Sequence, residues 1–451
     1  MNELRLRNGD RVIIAGGGPA GSFAALHLLA AARQAGLECQ VDIYEPRDLF
    51  TPGAVRNCKG CAGILSAGAV EHMASLGLTI PPEVIQSELR VYQVHVAGQM
   101  TTIEQPVAGR RILSVYRGAG PRRGAGPPPA SFDGFLLGQA VAAGARTIHA
   151  RVRKVSWEDR PVVHTDHGSA AADLLVLATG VNSRPPLDES FGYRPPGSEV
   201  MVQDEIARPD NWPGDTVVGF FGQPPGLLFG ALVPKGDYLH VSLLWRGRGA
   251  ATGGGARGGR ADALGQFYAA HAPVLRHFFS GQPPSLCGCN PRILTSPATV
   301  YYGDRWVSVG DAAASHLFKD GIHSAFITAR AAMTAAVTAG IGREDFRNAY
   351  EPVCKGIAVD NRYGAVLYSL TSRLLTLPRV ARAFSGAVQA EARLGYGRQF
   401  HARLLWGMLT GDEPYANLFR LALAPRGVVA FARQMMVGGI KVPGTSEVPG
   451  T

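Results

Sequence analysis

Long apolar runs are missing from this chain of 451 residues, since no uninterrupted apolar stretch approaches the roughly 20 residues that a membrane-spanning helix needs. The first residues also lack the apolar core of a secretion signal. These absences predict a cytoplasmic protein, with a peripheral position on the inner face of the membrane as the other location to consider. Hydrophobic residues still make up 46% of the chain, enough for large cores. A chain of this length is expected to form two or three domains.

Acidic residues are too few to balance the basic ones, with 35 against 45 and a formal net charge of +10. An excess of this size is typical of proteins that meet nucleic acid, an anionic cofactor or a membrane surface. Nucleic acid is the weakest candidate, because the Gly/Arg tract over residues 246–260 has no aromatic residue between its arginines. A loop inside a substrate domain explains that tract better. We therefore expect no nucleic-acid partner.

A strand, a glycine turn and a helix are predicted near the start, where residues 12–21 read VIIAGGGPAG. In this pattern Gly16 makes the tight turn, Gly18 lets the backbone approach a pyrophosphate, and Gly21 lets the helix pack on the strand. The N-terminus of the helix then offers N–H groups to the pyrophosphate. Glycine turns also open helices that bind no nucleotide, so the pattern needs support from other parts of the chain.

Further segments supply that support. A helix is predicted over residues 19–35, and a strand over residues 40–44 leads to Glu45, which stands where a ribose-binding acid belongs. Two later segments also read as strands: residues 173–180 end in Thr-Gly, and residues 306–311 end in Gly-Asp. The order of these segments is that of a flavoprotein.

In this order the chain resembles the two-domain FAD-dependent oxidoreductases that share the fold of aromatic hydroxylases. Within them it most resembles the geranylgeranyl reductase group and its electron-transfer-flavoprotein quinone oxidoreductase relatives. The resemblance covers residues 10–340 and is strongest at the segments quoted above. It implies an α/β fold, with a Rossmann-like FAD-binding domain, an inserted antiparallel-sheet (α+β) substrate domain and a helical C-terminal region.

The resemblance also implies a set of FAD contacts. They comprise the glycine turn at the diphosphate, the acid at the adenosine ribose, a backbone contact to adenine, an arginine over the flavin, and residues of the middle and late segments. In this sequence these are Gly16, Gly18, Gly21, Glu45, Val152, Arg117, Gly180, Gly310, Asp311, Gly321 and Ile322.

In this assignment the segment over residues 306–311, and the helix that follows it, supply the groups nearest to the flavin. Asp311 ends a strand and precedes a turn of small residues, where a carboxylate can accept hydrogen bonds from sugar hydroxyls. Instead of lying over the flavin, Arg117 could be an ordinary loop arginine that is exposed to solvent. Gly321 is predicted to open a helix over residues 322–338 whose N–H groups and positive dipole face the flavin and stabilise its anionic reduced form. His323 could relay protons or only pack at the helix start.

Two departures from the hydroxylase pattern weaken a monooxygenase assignment. Thr179 stands where hydroxylases of this fold usually carry an aspartate, and residues 317–323 replace the usual proline and Gly-x-Gly with LFKDGIH. Outside the Gly/Arg tract over residues 246–260, no second GxGxxG match is present, so we do not expect a tightly held nicotinamide.

The predicted domains alternate along the chain, because strands separated by Gly, Pro and Asp turns interrupt the nucleotide-binding segments. The FAD-binding domain is assigned to residues 1–86, 116–184 and 297–340, the substrate domain to residues 87–115 and 185–296, the helical region to residues 341–441 and a flexible tail to residues 442–451. Strands of the substrate domain are predicted over residues 87–95, 100–103, 217–221, 227–233 and 238–245.

Four of the six cysteines form close pairs, Cys58 with Cys61 and Cys287 with Cys289. The resemblance implies that both segments pass beside the flavin. Four thiolates there could ligate an iron–sulfur cluster or a structural Zn²⁺, or could serve as a redox dithiol, with Cys58 and Cys61 as the catalytic pair. The alternative is two pairs of thiols with no shared role.

The C-terminal part is basic, with twelve arginines and one lysine against seven acids between Arg343 and Arg433. Apolar stretches lie between these charges, as in amphipathic helices that rest on an anionic membrane. Such a surface would suit a lipid-like substrate. The alternative is a helical domain that packs on the FAD domain and keeps its charges in water.

Together these patterns predict an FAD-dependent oxidoreductase that moves a hydride or an electron pair between the flavin and an apolar substrate, such as a polyprenyl chain or a quinone. An electron-donor protein or NAD(P)H would reduce the flavin. One alternative is a flavin monooxygenase or halogenase that uses NAD(P)H and oxygen. Another is a non-catalytic flavin-binding electron carrier.

Overall fold

The computed structural model describes residues 4–54, 62–246 and 256–437. Its strands are, in chain order, β1 (Arg11–Ala15), β2 (Gln40–Tyr44), β3 (Ile64–Leu65), β4 (Ile85–Leu89), β5 (Val91–Val96), β6 (Gln99–Glu104), β7 (Ile112–Val115), β8 (Arg146–Ile148), β9 (Lys154–Trp157), β10 (Pro161–Thr165), β11 (Gly168–Ala171), β12 (Leu174–Leu177), β13 (Ser198–Val200), β14 (Val202–Ala207), β15 (Thr216–Phe221), β16 (Leu227–Lys235), β17 (Tyr238–Trp245), β18 (Arg292–Leu294), β19 (Tyr302–Gly303) and β20 (Trp306–Ser308). Its α-helices are α1 (Pro19–Gln34), α2 (Ala67–Ser75), α3 (Phe132–Ala142), α4 (Ala256–Ala270), α5 (Ala272–Leu275), α6 (Gly321–Thr338), α7 (Arg343–Ala349), α8 (Glu351–Leu374), α9 (Pro378–Glu391), α10 (His401–Thr410), α11 (Tyr415–Ala422) and α12 (Pro425–Val437).

A mostly parallel sheet, in the order β19-β20-β12-β1-β2-β8, forms the Rossmann-like half of the fold. Its central strands are buried on both faces, which is why β1 and β12 are nearly continuous apolar runs. On one face Val12 and Ile14 pack in the core that also holds Phe23 of α1 and Phe326 of α6, while Ile13 points to the core under the β9-β10-β11 sheet. The predicted α/β class is confirmed.

The predicted motifs all follow the carboxyl ends of neighbouring parallel strands. The glycine turn follows β1, Glu45 follows β2, Thr179 follows β12, and Gly310 and Asp311 follow β20. In open α/β sheets ligands bind at this edge, so the topology brings segments from distant parts of the sequence to one place.

A second, mostly antiparallel sheet has the order β14-β17-β16-β15-β5-β6, with only β15 and β5 running parallel. Helices α4 and α5 cover one of its faces, where Phe267 packs against Phe220. The single strand predicted over residues 87–95 is wrong in detail. The chain leaves β4, which pairs with β7, and enters β5 of the large sheet at Arg90, whose N–H instead bonds to the carbonyl oxygen of Asp215.

Helices α8 to α12 pack together and close one side of the large sheet. Trp406 of α10 lies edge-on to Tyr92 of β5, and Ser385 of α9 bonds to Thr101 of β6. Tyr415 of α11 is fully buried and donates to the carbonyl of Leu317. The helical C-terminal region predicted from the sequence is thus part of the wall around the cavity described below. Within the described ranges, no helix combines the length and apolar character that crossing a bilayer requires.

Candidate flavin-binding site

The glycine turn after β1 is shaped by close backbone approaches that only glycine permits. Gly16 has φ +114°, and a Cβ there would lie 2.5 Å from the carbonyl oxygen of Ala178. A Cβ on Gly21 would lie 1.8 Å from the carbonyl oxygen of Gly16, so α1 could not pack against the turn. At Gly18 the nearest atom to a Cβ is Nη2 of Arg117 at 3.1 Å, and this residue lines the cavity. At Gly16 and Gly21 the turn therefore packs against backbone, whereas at Gly18 it faces the cavity.

Glu45 is held against the turn by hydrogen bonds from both sides. Its Oε2 accepts from the backbone N–H of Gly17 at 3.0 Å, and Arg47 donates from Nε to Oε1 at 2.8 Å and from Nη2 to Oε2 at 3.1 Å. Burial alone would raise the pKa of Glu45, but the hydrogen bonds and charge of Arg47, with the N–H groups of Arg47 and Gly17, hold that pKa below its usual value. The buried acid is therefore a fixed anionic acceptor.

Two guanidinium groups meet beside Gly18 around one buried carboxylate. Arg117 donates from Nε and Nη2 to the two oxygens of Asp133 at 2.9 and 3.0 Å, and Nη1 of Arg47 lies 3.6 Å from Asp133 Oδ2. Asp133 belongs to the first turn of α3 and is fully buried. Because their positions are fixed by this carboxylate, the two arginines and the N-terminus of α1 form a cradle suited to a diphosphate.

Asp311 lines the same cavity as the glycine turn. Burial raises its pKa above the usual value, while a hydrogen bond from Ser315 and the charge of Arg117 act in the opposite direction. Gly310, at φ +61°, allows this turn because a Cβ there would lie 2.7 Å from the Cβ of Ala20. Thr179 also lines the cavity, and its buried hydroxyl has no hydrogen-bond partner among the described residues. Such an unsatisfied group is expected where a polar ligand binds.

The segment before α6 has an unusual backbone. Phe318 and Asp320 have φ values of +64° and +57°, a left-handed conformation that side chains other than glycine rarely adopt and that clusters at functional sites. Between them Lys319 is buried, donates to the carbonyl of Gly407 and lies over the ring of Tyr415 at 4.0 Å. Burial lowers the pKa of Lys319 to about 7, against the opposing effect of nearby carboxylates.

One cavity of about 370 Å³ connects the glycine turn with the face of the large sheet. Its far end is mainly apolar and is lined by Tyr92, Val217, Phe221, Phe229, Val233 and Met408. Polar groups there include Gln203, which donates to the hydroxyl of Ser242 at 3.1 Å, and the buried hydroxyl of Tyr92, which has no hydrogen-bond partner among the described residues. A ligand bound at the glycine turn would thus share its cavity with an apolar second ligand.

The structure brings most of the predicted site residues together. Gly16, Gly18, Glu45, Arg117, Val152, Gly180, Asp311, Gly321 and Ile322 line this cavity, and Gly21 and Gly310 support it from behind. Three further residues of the site, Arg47, Asp133 and Lys319, were not predicted from the sequence. Arg47 stands two positions after Glu45, the acid predicted to bind ribose, which is a usable signal, whereas nothing in the local sequence marks Asp133.

The second cysteine pair lies at the edge of the large sheet. Cys289 pairs with Gln203 of β14, and the carboxylate of Asp204 accepts from the N–H groups of Cys287 and Gly288 at 3.2 and 2.9 Å. Burial, with the neighbouring thiol and acids, raises the pKa of Cys289 to about 12. Cys58 and Cys61 lie outside the described residues. Within the described ranges, no three His, Cys, Asp or Glu side chains are placed to hold a metal ion, and the iron–sulfur, zinc and dithiol assignments stay predictions.

No protein-family model and no curated protein sequence matches the chain. Solved structures are similar to it. A geranylgeranyl bacteriochlorophyll reductase-like protein from Thermoplasma acidophilum has 17% identity and a TM-score of 0.64, over 92% of this chain and 100% of that one. A flavoprotein/dehydrogenase from Cytophaga hutchinsonii has 15% identity and a TM-score of 0.62, over 96% and 100%. The flavin-dependent halogenase CmlS has 18% identity and a TM-score of 0.58, over 92% and 77%. The predicted resemblance in fold is confirmed, and at these identities it is the fold alone that the likeness establishes.

Proposed function

We propose that this chain is an FAD-dependent oxidoreductase that moves a hydride or an electron pair between the flavin and an apolar small molecule. The observation that carries the proposal is the single cavity that joins a dinucleotide cradle to an apolar sheet face. Such transfer requires the two reactants to be held in contact with water excluded, and a shared apolar cavity provides both conditions.

FAD fits the residues present. Gly18, the N-terminus of α1, Arg47 and Arg117 would hold the diphosphate, and Glu45 the adenosine ribose. Asp311 and the unsatisfied hydroxyl of Thr179, which line the same cavity, would bind the polar groups of the ribityl chain. When bound, FAD supplies a ring system that accepts or donates two electrons, chemistry that no side chain offers.

The far end of the cavity indicates the class of substrate. Its wall is mainly apolar and aromatic, with a few polar groups, those of Gln203, Ser242 and Tyr92, able to meet oxygen atoms of a ligand. A quinone, or a polyprenyl chain with an oxygen-bearing end, has this composition. One similar structure is named as a geranylgeranyl bacteriochlorophyll reductase-like protein, and this name supports a prenylated substrate for the present chain. The electron donor would be a partner protein or NAD(P)H.

A flavin monooxygenase or halogenase is the second candidate, because the halogenase CmlS shares the fold. Thr179 and the segment over residues 317–323 depart from the hydroxylase pattern, and this weighs against it.

The two candidates differ in which molecule reoxidises the reduced flavin. We expect the reduced protein to be reoxidised at least ten times faster by a short-chain quinone or by geranylgeraniol than by oxygen, with no hydroxylated or halogenated product. Stopped-flow absorbance and product analysis measure this. Ala231→Phe, which fills the apolar end, should slow reoxidation by the organic acceptor about tenfold while flavin remains bound. An oxygen-dependent hydroxylated or halogenated product would establish the second candidate instead.

We also propose that the outer face of the C-terminal helices binds an anionic membrane surface. Five large apolar side chains on α8 are 37–48% exposed and recur every three or four residues, so they form one stripe: Val359, Tyr363, Val366, Leu370 and Leu374. Exposed arginines flank the stripe, namely Arg362, Arg373, Arg379 and Arg382. An apolar stripe between basic side chains is the pattern of helices that lie at a membrane interface. Tyr368 of the same helix lines the cavity, so a lipid-like substrate would have a short path inward.

Vesicle binding tests this surface. The wild-type protein should sediment with phosphatidylglycerol vesicles at low ionic strength and be released by salt, because contacts to headgroups are screened. Replacing Val366, Leu370 and Leu374 together with serine should reduce binding about tenfold without unfolding, since all three are exposed. Val141→Ser, at an equally exposed position on α3, is the matched control. Wild-type protein that stays in solution at low salt would contradict the proposal. Deleting the helices would be a poor test, because Trp406 and Tyr415 are buried.

A further inference from the structure

Three side chains, two at the start of α6 and one on α2, are hydrogen-bonded in series beside the cavity. Asp320, at the start of α6, pairs through Oδ2 with Nδ1 of His323 at 2.8 Å. Nε2 of His323 then lies 2.7 Å from Nδ1 of His72, which belongs to α2. Asp320 and His72 are 248 positions apart in sequence, so the bond to His72 is not part of a local helix cap. An acid and two imidazoles in this order have the geometry of a proton path.

The inner end of the series lies beside the cavity. Asp320 lines the cavity, its side chain is 3% exposed, and Oδ1 is buried with no hydrogen-bond partner among the described residues. A buried carboxylate oxygen without a partner is costly, so a ligand or a proton that reaches Oδ1 would be stabilised there. The backbone of Asp320 is left-handed, a conformation that clusters at functional sites.

The outer end reaches the protein surface at His72, which is half-buried and stacks on Phe326. Burial, with the charges of His323 and Arg330, lowers the pKa of His72, against smaller opposing effects of Glu71 and Asp320. An imidazole that is neutral near pH 7 can both accept and release a proton.

Other titratable groups also face the series. His27 lies behind His72, His316 lies 6.5 Å from His323, and Lys319 precedes Asp320. Burial lowers the pKa of His27 to about 4 and also lowers that of His316, so both stay neutral near pH 7. Neither histidine bonds to the series in the described structure. His316 instead bonds through Nδ1 to Ser324.

We propose that Asp320, His323 and His72 form a proton relay between solvent and the flavin cavity. The proposal rests on the proposed flavin function, because two-electron reduction of a flavin or of an organic acceptor takes up a proton. Hydride transfer from the reduced flavin to an alkene or quinone likewise leaves an anionic product that one proton neutralises. Each of these steps needs a proton inside a cavity from which water is excluded.

The steps follow from the hydrogen bonds. The ionised Asp320 fixes the tautomer of His323, whose Nδ1–H donates to Oδ2, and Nε2 of His323 then accepts from Nδ1–H of His72. A proton from solvent bonds to Nε2 of His72 as the Nδ1 proton moves to His323, and the Nδ1 proton of His323 moves to Asp320. The neutral carboxyl turns and donates into the cavity, which restores its negative charge. Rotation of the imidazoles resets the tautomers.

Proton uptake during reduction tests the relay directly. Reduced methyl viologen donates electrons without protons, so two equivalents reduce bound FAD while one proton comes from solvent. We expect an indicator dye in weakly buffered solution to report this uptake, and to report it at least tenfold more slowly in Asp320→Asn, His323→Gln and His72→Ala. Added imidazole should restore most of the rate in His72→Ala, whose position faces solvent, and none in Asp320→Asn.

His167→Gln, which changes an exposed histidine in the turn between β10 and β11, is the matched control and should behave as wild type. Relay variants that keep bound FAD and take up the proton at the wild-type rate would overturn the relay. Slow uptake in His72→Ala that imidazole does not restore would also overturn it, since the effect would then be structural. A wild-type protein that binds no FAD would instead contradict the proposed function, so the two failures are distinguishable from the flavin content alone.

Discussion

Replacing Asp311 with alanine is expected to give a folded protein that purifies without flavin. The carboxylate follows β20 and lines the cavity, where it would accept hydrogen bonds from ribityl hydroxyls. A hydrogen bond to a charged group contributes about 1.5–3 kcal/mol. Since about 1.4 kcal/mol is a tenfold change in affinity, losing two should weaken FAD binding on the order of 100-fold. Visible absorbance of the purified variant, and fluorescence titration with FAD, measure the loss.

Two companion variants make this result specific. Asp311→Asn keeps an acceptor oxygen without the charge and should have an intermediate affinity. Asp159→Ala removes a carboxylate that is 77% exposed and should retain the flavin in full. If Asp311→Ala still binds stoichiometric FAD with unchanged affinity, the assignment of this residue is wrong.

Alanine at two glycines only three positions apart should have opposite consequences. In Gly21→Ala the new Cβ would lie 1.8 Å from the backbone oxygen of Gly16, which cannot move without separating α1 from β1. We expect a loss of several kcal/mol of folding stability, as for other severe overpacking. In Gly18→Ala the nearest atom is the end of the Arg117 side chain at 3.1 Å, which can shift. That variant should fold normally but bind FAD at least tenfold more weakly, because the methyl group enters the diphosphate cradle.

Thermal unfolding and flavin content separate the two effects. Gly36→Ala provides a control for glycine replacement, since it has a left-handed φ of +68° but open space around it, and it should lose a little stability and no flavin affinity. Equal behaviour of Gly18→Ala and Gly21→Ala would contradict the geometry of the turn.

Local sequence patterns predicted the strands and helices around the glycine turn well. The strand over residues 40–44 matches β2, and the helix predicted from residue 322 matches α6 after Gly321, because apolar runs, glycine turns and helix caps are short-range signals. The same signals placed Glu45 and Asp311 at the ends of parallel strands, and the sheet topology then brought them to one edge.

Contacts between distant segments could not be predicted in this way. Asp133 is an ordinary acid in the first turn of a helix until the fold places it between Arg47 and Arg117. The link between His72 and His323 joins two helices that are far apart in sequence. Periodicity also could not show that the predicted strand over residues 87–95 changes sheet at Arg90, since both halves have strand character.

The flavin content of the purified wild-type protein is the most direct test of the proposed FAD site. We expect roughly one FAD per chain, released by denaturation and identified by mass spectrometry, or the same stoichiometry after incubation of flavin-free protein with FAD. A well-folded protein that neither contains FAD nor takes it up would contradict the assignment of this chain as a flavoprotein.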